Sequence, residues 1–154
     1  METILRIDMS AKDGPKFSKE SLGEYSGNGG RGMTSSIVSK EVYALCHPLG
    51  AKNKLVIAPG LLSGTSAAMS GRISVGCKSP LTGTIKESNA GGHAAQVLAR
   101  PGYAAIALEG IPEGDNLYKV IISKDEVKIE VDNSLKILDN YDLTEKMKGQ
   151  YGDK

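Results

Sequence analysis

The stretch from Leu55 to Gly92, LVIAPGLLSGTSAAMSGRISVGCKSPLTGTIKESNAGG, constrains this chain more than any other part. It holds seven glycines, three cations (Arg72, Lys78 and Lys86) and one acid, Glu87. Short β-prone runs, LVIAPG and GRISVGCKS, are punctuated by Gly, Ser and Thr, and Asn89-Ala90-Gly91-Gly92 then opens a run that reads as a helix. Glycine lets a backbone approach another surface closely and take positive φ at little steric cost. A helix opening leaves N–H groups unpaired and carries the positive end of the helix dipole. Together these predict a surface that holds an anionic, phosphate-bearing ligand.

Around this stretch the hydropathy pattern predicts strands more often than helices. Thr3–Ser10 alternates apolar and polar residues, the period of a half-buried strand. Ala11–Gly14 reads as a turn, and Lys16–Gly23 fits neither period. A glycine-rich opening at Gly27–Gly32 leads into a helix from about Arg31 to Ala44, ended by Pro48-Leu49-Gly50. Lys54–Ala58, Arg72–Lys78, Thr82–Glu87 and the strongly apolar Tyr103–Leu108 are expected strands, with Ile73, Val75 and Cys77 sharing one buried face. Gly91–Arg100 is expected to be helical up to Pro101-Gly102. Leu117–Ser123 and Val127–Val131 suggest a hairpin turning at Lys124-Asp125-Glu126. Asp142, with Glu145 three residues on, has the form of an N-cap for a helix to Tyr151. Strands dominate and do not alternate strictly with helices, which favours an α+β fold. No internal sequence repeat is evident.

The chain has 154 residues, enough for one domain with a modest core. A formal net charge of +1 gives no global argument for nucleic acid or an anionic membrane, and no run is apolar for long enough to span a bilayer. The two cysteines, Cys46 and Cys77, lie too far apart for a zinc-ribbon or cluster-binding spacing. They are expected to be free, buried thiols in a reducing cytoplasm.

SGRISVGCKSPLTG, then SNAGG, then GYAAIALEG (Gly102–Gly110) together resemble the N-terminal domain of the aldehyde ferredoxin oxidoreductases. The likeness continues upstream through GGRGM (Gly29–Met33), PLG (Pro48–Gly50) and NKLVIAPGLLSGTSA (Asn53–Ala67), so it covers most of residues 1–154. The resemblance implies an α+β domain whose mixed sheets form the base for a tungsten (or molybdenum) bis-pyranopterin. It implies an oxidoreductase that converts aldehydes to carboxylic acids with ferredoxin as electron acceptor. In that family the chain runs on past this length, and the 4Fe–4S cluster ligands lie there. The domain is therefore expected to be incomplete, and inactive when isolated. Its expected partners are the remaining domains or subunit of the enzyme, or a second copy. The alternative is a non-catalytic, standalone cofactor-binding or scaffold subunit derived from that domain. A generic nucleotide-binding module lacks support, since neither GxxxxGK[ST] nor a strand-preceded GxGxxG is present.

By matching position the resemblance assigns cofactor contact to Arg72, Asn89 and Gly91. From residues alone, Arg72 reads first as a surface Arg at a strand start, with a phosphate-binding fork as the other reading. Asn89 reads as an N-cap. Lys78 and Lys86 read as solvated strand ends, His47 as a turn residue, and His93 as a packed or exposed side chain. The cradle reading expects the Arg72 guanidinium and the Gly91 nitrogen within roughly 10 to 15 Å of each other. An unpaired sheet edge is expected near Leu55–Val75.

Overall fold

The computed structural model describes residues 2–123 and 126–152. It contains a six-stranded mixed sheet, a separate two-stranded sheet and three α-helices. The strands are β1 (Thr3–Asp8), β2 (Lys16–Ser21), β3 (Lys54–Pro59), β4 (Arg72–Lys78), β5 (Ile85–Gly91), β6 (Tyr103–Glu109), β7 (Tyr118–Ile122) and β8 (Val127–Val131). The helices are α1 (Gly30–Glu41), α2 (Ala94–Ala99) and α3 (Asn140–Tyr151). In the large sheet the order is β2-β1-β6-β3-β4-β5, with only β1 and β6 parallel. This is the α+β architecture expected from the strand-rich pattern.

Three layers arise because both faces of the central strands are apolar. Helix α1 lies on one face, where Met33 and Ile37 meet Ile4, Val56, Ala58 and Ala105. The β7–β8 hairpin and α2 lie on the other, where Val127, Val120, Ile122 and Leu98 meet Leu5, Ile7 and Ile106. Two of the three expected hairpin-turn residues, Lys124 and Asp125, lie outside the described residues.

The structure corrects several expectations. On β4 the buried residues are Ser74, Gly76 and Lys78, while Ile73, Val75 and Cys77 are only partly covered. The reason is close packing: a Cβ at Gly76 would stand 2.7 Å from the Cβ of Thr34. Small residues let α1 settle onto the sheet, and apolarity alone points to the wrong face. Lys78 is not a solvated strand end, because its Nζ is buried and donates to the carbonyls of Ala44 and Cys46. Cys46 is free and buried, whereas Cys77, also free, is only partly buried. Lys16–Ser21 forms an entirely exposed edge strand, which explains its lack of a hydropathy period. The unpaired edges of the large sheet are β2 and β5, not Leu55–Val75, since β3 and β4 are both interior. Helix α3 is capped by Asp139, which accepts from the amides of Tyr141 and Asp142, so it starts earlier than Asp142.

A repeat absent from the sequence is present in the backbone. A hairpin, a 3₁₀ turn and a helix occur twice, as β1–β2, Gly23–Tyr25 and α1, then as β7–β8, Asn133–Leu135 and α3. From the second strand onward the two copies keep one constant offset: Ser21 corresponds to Val131, Gly30 to Asn140 and Glu41 to Tyr151. Gly27 (φ 80°) and Ile137 (φ 64°) make the same left-handed step before each helix. Met33 and Ile37 are matched by Leu143 and Met147.

Candidate functional site

The hairpin formed by β4 and β5 brings the predicted residues together. Arg72 and Gly91 are directly opposed partners at its end, and Ser74 and Asn89 are the next pair on the same side. Opposed Cα atoms in an antiparallel pair are about 4.5–5.5 Å apart, so the two residues stand side by side at one end of the hairpin. Beyond Arg72 the two chains remain joined, as the Gly92 amide donates to the Gly71 carbonyl at 3.0 Å. Arg72 and Gly91 both line a cavity of about 430 Å³, together with Met69, Ser70, Gly71, Gly92, His93 and Gln96. Asn89 stands just outside this lining. His93, read from sequence as packed or exposed, is exposed and borders the cavity.

Two expectations about this region change. Asn89 is not an N-cap: β5 continues through Gly91, and the Asn89 Oδ1 accepts from Ser74 Oγ at 2.6 Å. The helix expected from Gly91 is shorter, Ala94–Ala99, with no side-chain cap at His93. A helix of six residues adds little dipole. The positive charge lining the cavity therefore comes from Arg72, not from a helix end.

Close backbone contact shapes the cavity. A Cβ at Gly71 would stand 2.3 Å from the Gly92 carbonyl oxygen, so only glycine lets the two strands meet there. At Gly91 the nearest atom to a Cβ would be the Gly71 oxygen at 3.9 Å, so a side chain would occupy open space. The β3–β4 loop is tied down over α2. Ser63 Oγ donates to the Ser70 carbonyl at 2.9 Å, and Gln96 Nε2 donates to Ser70 Oγ at 3.1 Å. The Gly64 amide donates to Gln96 Oε1.

Among the described residues Arg72 pairs with no carboxylate. Arg6, by contrast, pairs with Glu20 and Glu41, and Arg31 with Glu87 at 3.1 Å. Sequence reading missed the Glu41 cluster, which sits away from the cavity. Glu41 binds Arg6 through both carboxylate oxygens, Lys54 at 2.7 Å and the Tyr25 hydroxyl at 2.8 Å. Lys54 continues to Glu109 at 2.5 Å. Every member is held by an opposite charge or a hydroxyl, so this cluster reads as structural. Arg6, Glu20, Tyr25, Glu41, Lys54 and Glu109 come from six separate elements, which no local spacing reveals.

Residues 4–154 match the family model described as aldehyde ferredoxin oxidoreductase, N-terminal domain. The chain is 41% identical over 132 residues to a tungsten-containing aldehyde ferredoxin oxidoreductase of Thermococcus kodakarensis, covering 82% of this chain and 20% of the relative. It is 46% identical over 85 residues to the protein of that name from Pyrococcus furiosus, covering 55% and 14% respectively. Among solved structures it is similar to a chain of the active site complex BamBC of benzoyl coenzyme A reductase in complex with 1,5 dienoyl-CoA. That match has a TM-score of 0.87 at 27% identity and covers 97% of this chain and 22% of the other. The chain thus spans about a fifth of the length of these relatives.

Proposed function

Since the chain belongs to the aldehyde ferredoxin oxidoreductase family through that family's N-terminal domain, we propose that it seats the tungsten (or molybdenum) bis-pyranopterin of an aldehyde-oxidising enzyme. The observation that carries this is the pairing of Arg72 with Gly91 on one cavity, with the guanidinium unpaired among the described residues. The residues fit a phosphate-bearing group. Arg72 offers a planar fork of donors, and the missing side chain at Gly91 leaves open space beside the backbone. Ser74 engages the Asn89 Oδ1, which orients that carboxamide and leaves its Nδ2 hydrogens for a ligand acceptor. When bound, the metal–pterin group supplies the two-electron oxidation of aldehyde to acid, with ferredoxin as acceptor. The chain's own residues bind and orient.

The 4Fe–4S cluster and the contact with ferredoxin are assigned to the rest of the enzyme, in further domains or another subunit. The open edge of β5, next to Asn89 and Gly91, is the natural place for that remainder, or for a second copy, to pair. Among the described residues no helix is long and apolar enough to cross a membrane, and the proposed setting is the cytoplasm. The 41% identity to an aldehyde enzyme against 27% to the benzoyl coenzyme A reductase chain favours aldehyde as the substrate class.

The test is cofactor retention. The chain, purified from a host that makes the pterin, is acid-oxidised and its pterin fluorescence read. Wild type is expected to retain pterin, and Arg72→Ala about tenfold less, the loss of one charge-assisted phosphate contact. A wild-type protein that carries no pterin would sink the proposal.

A further inference from the structure

Two non-glycine residues have left-handed backbone among the described residues, Met69 (φ 57°) and Ile137 (φ 64°). Ile137 shares its step with Gly27 in the repeated module, so its conformation belongs to that turn. Met69 has no such counterpart. It is 102% exposed, and it lines the cavity that also holds Arg72, Gly91 and His93. Turns with positive φ favour glycine or asparagine, because an L side chain crowds the following carbonyl. A solvent-facing methionine gains nothing from burial to offset that crowding. Such outliers point to function where the surroundings hold them in place.

The surroundings here do hold. Ser70 Oγ donates to the Ala67 carbonyl at 2.9 Å, closing the turn across Met69. Gln96 then fixes that hydroxyl from α2 while accepting the Gly64 amide at the other end of the loop. The turn is presented on a rigid arm, with an adaptable thioether at its tip. Methionine sulfur and methylenes pack well on flat aromatic faces.

We propose that Met69 is a ligand-contact residue whose side chain closes over the ring face of the group whose phosphate meets Arg72, and that Gln96 is the positioning residue of the turn. This rests on the cofactor-seating reading above. The test titrates the full chain with guanosine 5′-monophosphate, a flat fused ring bearing a phosphate, and separately with inorganic phosphate. Met69→Gly is expected to bind the nucleotide about fivefold more weakly and phosphate equally well. The same variant is expected to melt about 2 °C higher, because the strained step is relieved. Gln96→Leu, which keeps Met69, should weaken nucleotide binding by a similar factor and speed hydrogen exchange at the Gly64 amide. Equal nucleotide affinity in wild type and Met69→Gly overturns the proposal, as does a wild type that binds phosphate but not the nucleotide. A wild type that binds neither probe overturns this inference, whereas the cradle reading stands or falls on pterin retention.

Discussion

Gly71→Ala is expected to abolish cofactor retention and to lower stability by about 2–3 kcal/mol, the cost of forcing atoms into a packed contact. The added Cβ, fixed in place by its own backbone, would stand 2.3 Å from the Gly92 carbonyl oxygen, a backbone atom. No rotamer relieves the overlap, so the two chains must part. Parting them breaks the Gly92 amide bond to the Gly71 carbonyl, 3.0 Å in the native fold, and separates Arg72 from Gly91. Pterin fluorescence and thermal melting measure the two effects on one sample. Gly149→Ala is the control. Nothing lies within 4 Å of a Cβ there, and it is a helical position where alanine is favoured by up to about 1 kcal/mol. Unchanged pterin retention in Gly71→Ala would show that this contact does not shape the cradle.

Glu41→Gln is expected to cost about 2–3 kcal/mol, below the roughly 3–5 kcal/mol for breaking a fully buried ion pair because the group keeps some water. In a protein of this size that lowers the melting midpoint by roughly 5–10 °C. Burial alone would raise the Glu41 pKa. The hydrogen bonds from Arg6, Lys54 and Tyr25 outweigh it and hold the carboxyl at about 2, against an ordinary 4.5. A depressed folded-state pKa contributes stability above the unfolded value, and that contribution is lost as pH falls through the folded one. Wild type should therefore lose stability steadily from about pH 4.5 towards pH 2, and Glu41→Gln should show a shallower slope over that window. Urea midpoints at a series of pH values measure both. Parallel slopes in the two proteins would rule out Glu41 as the source. On the same cluster, burial and the Glu41 carboxylate push the Tyr25 hydroxyl up to about 12.

Local signals in the sequence carry much of this fold. The apolar run at Tyr103–Leu108 becomes a strand buried on both faces, and the alternation at Thr3–Ser10 becomes its parallel neighbour β1. The glycine-rich stretch does end on one cavity with Arg72 and Gly91. What failed depends on distant partners. Asn89 has the composition of a cap, but its hydrogen bond goes across the hairpin to Ser74, fifteen residues away. The buried face of β4 is chosen by how near α1 can come, which rests on Gly76 and Thr34 together. Glu41 and its three partners are scattered over the first 54 residues, and only tertiary packing joins them. Met69 and Gln96 carry no motif at all. Their roles come from a backbone angle and a carboxamide that bridges two points of one loop.

The doubled hairpin-turn-helix unit sets up two helices of the same length with opposite dependence on their surroundings. In α1, Met33 and Ile37 are wholly enclosed, while α3 has no buried residue. Isolated helices of about a dozen residues are marginal in water. Opening of α1 must therefore wait for the whole sheet to come apart, whereas α3 can fray and reform alone. Time, rather than shape, separates the two copies: one keeps its amide hydrogens for as long as the molecule stays folded, and the other trades them with solvent almost freely.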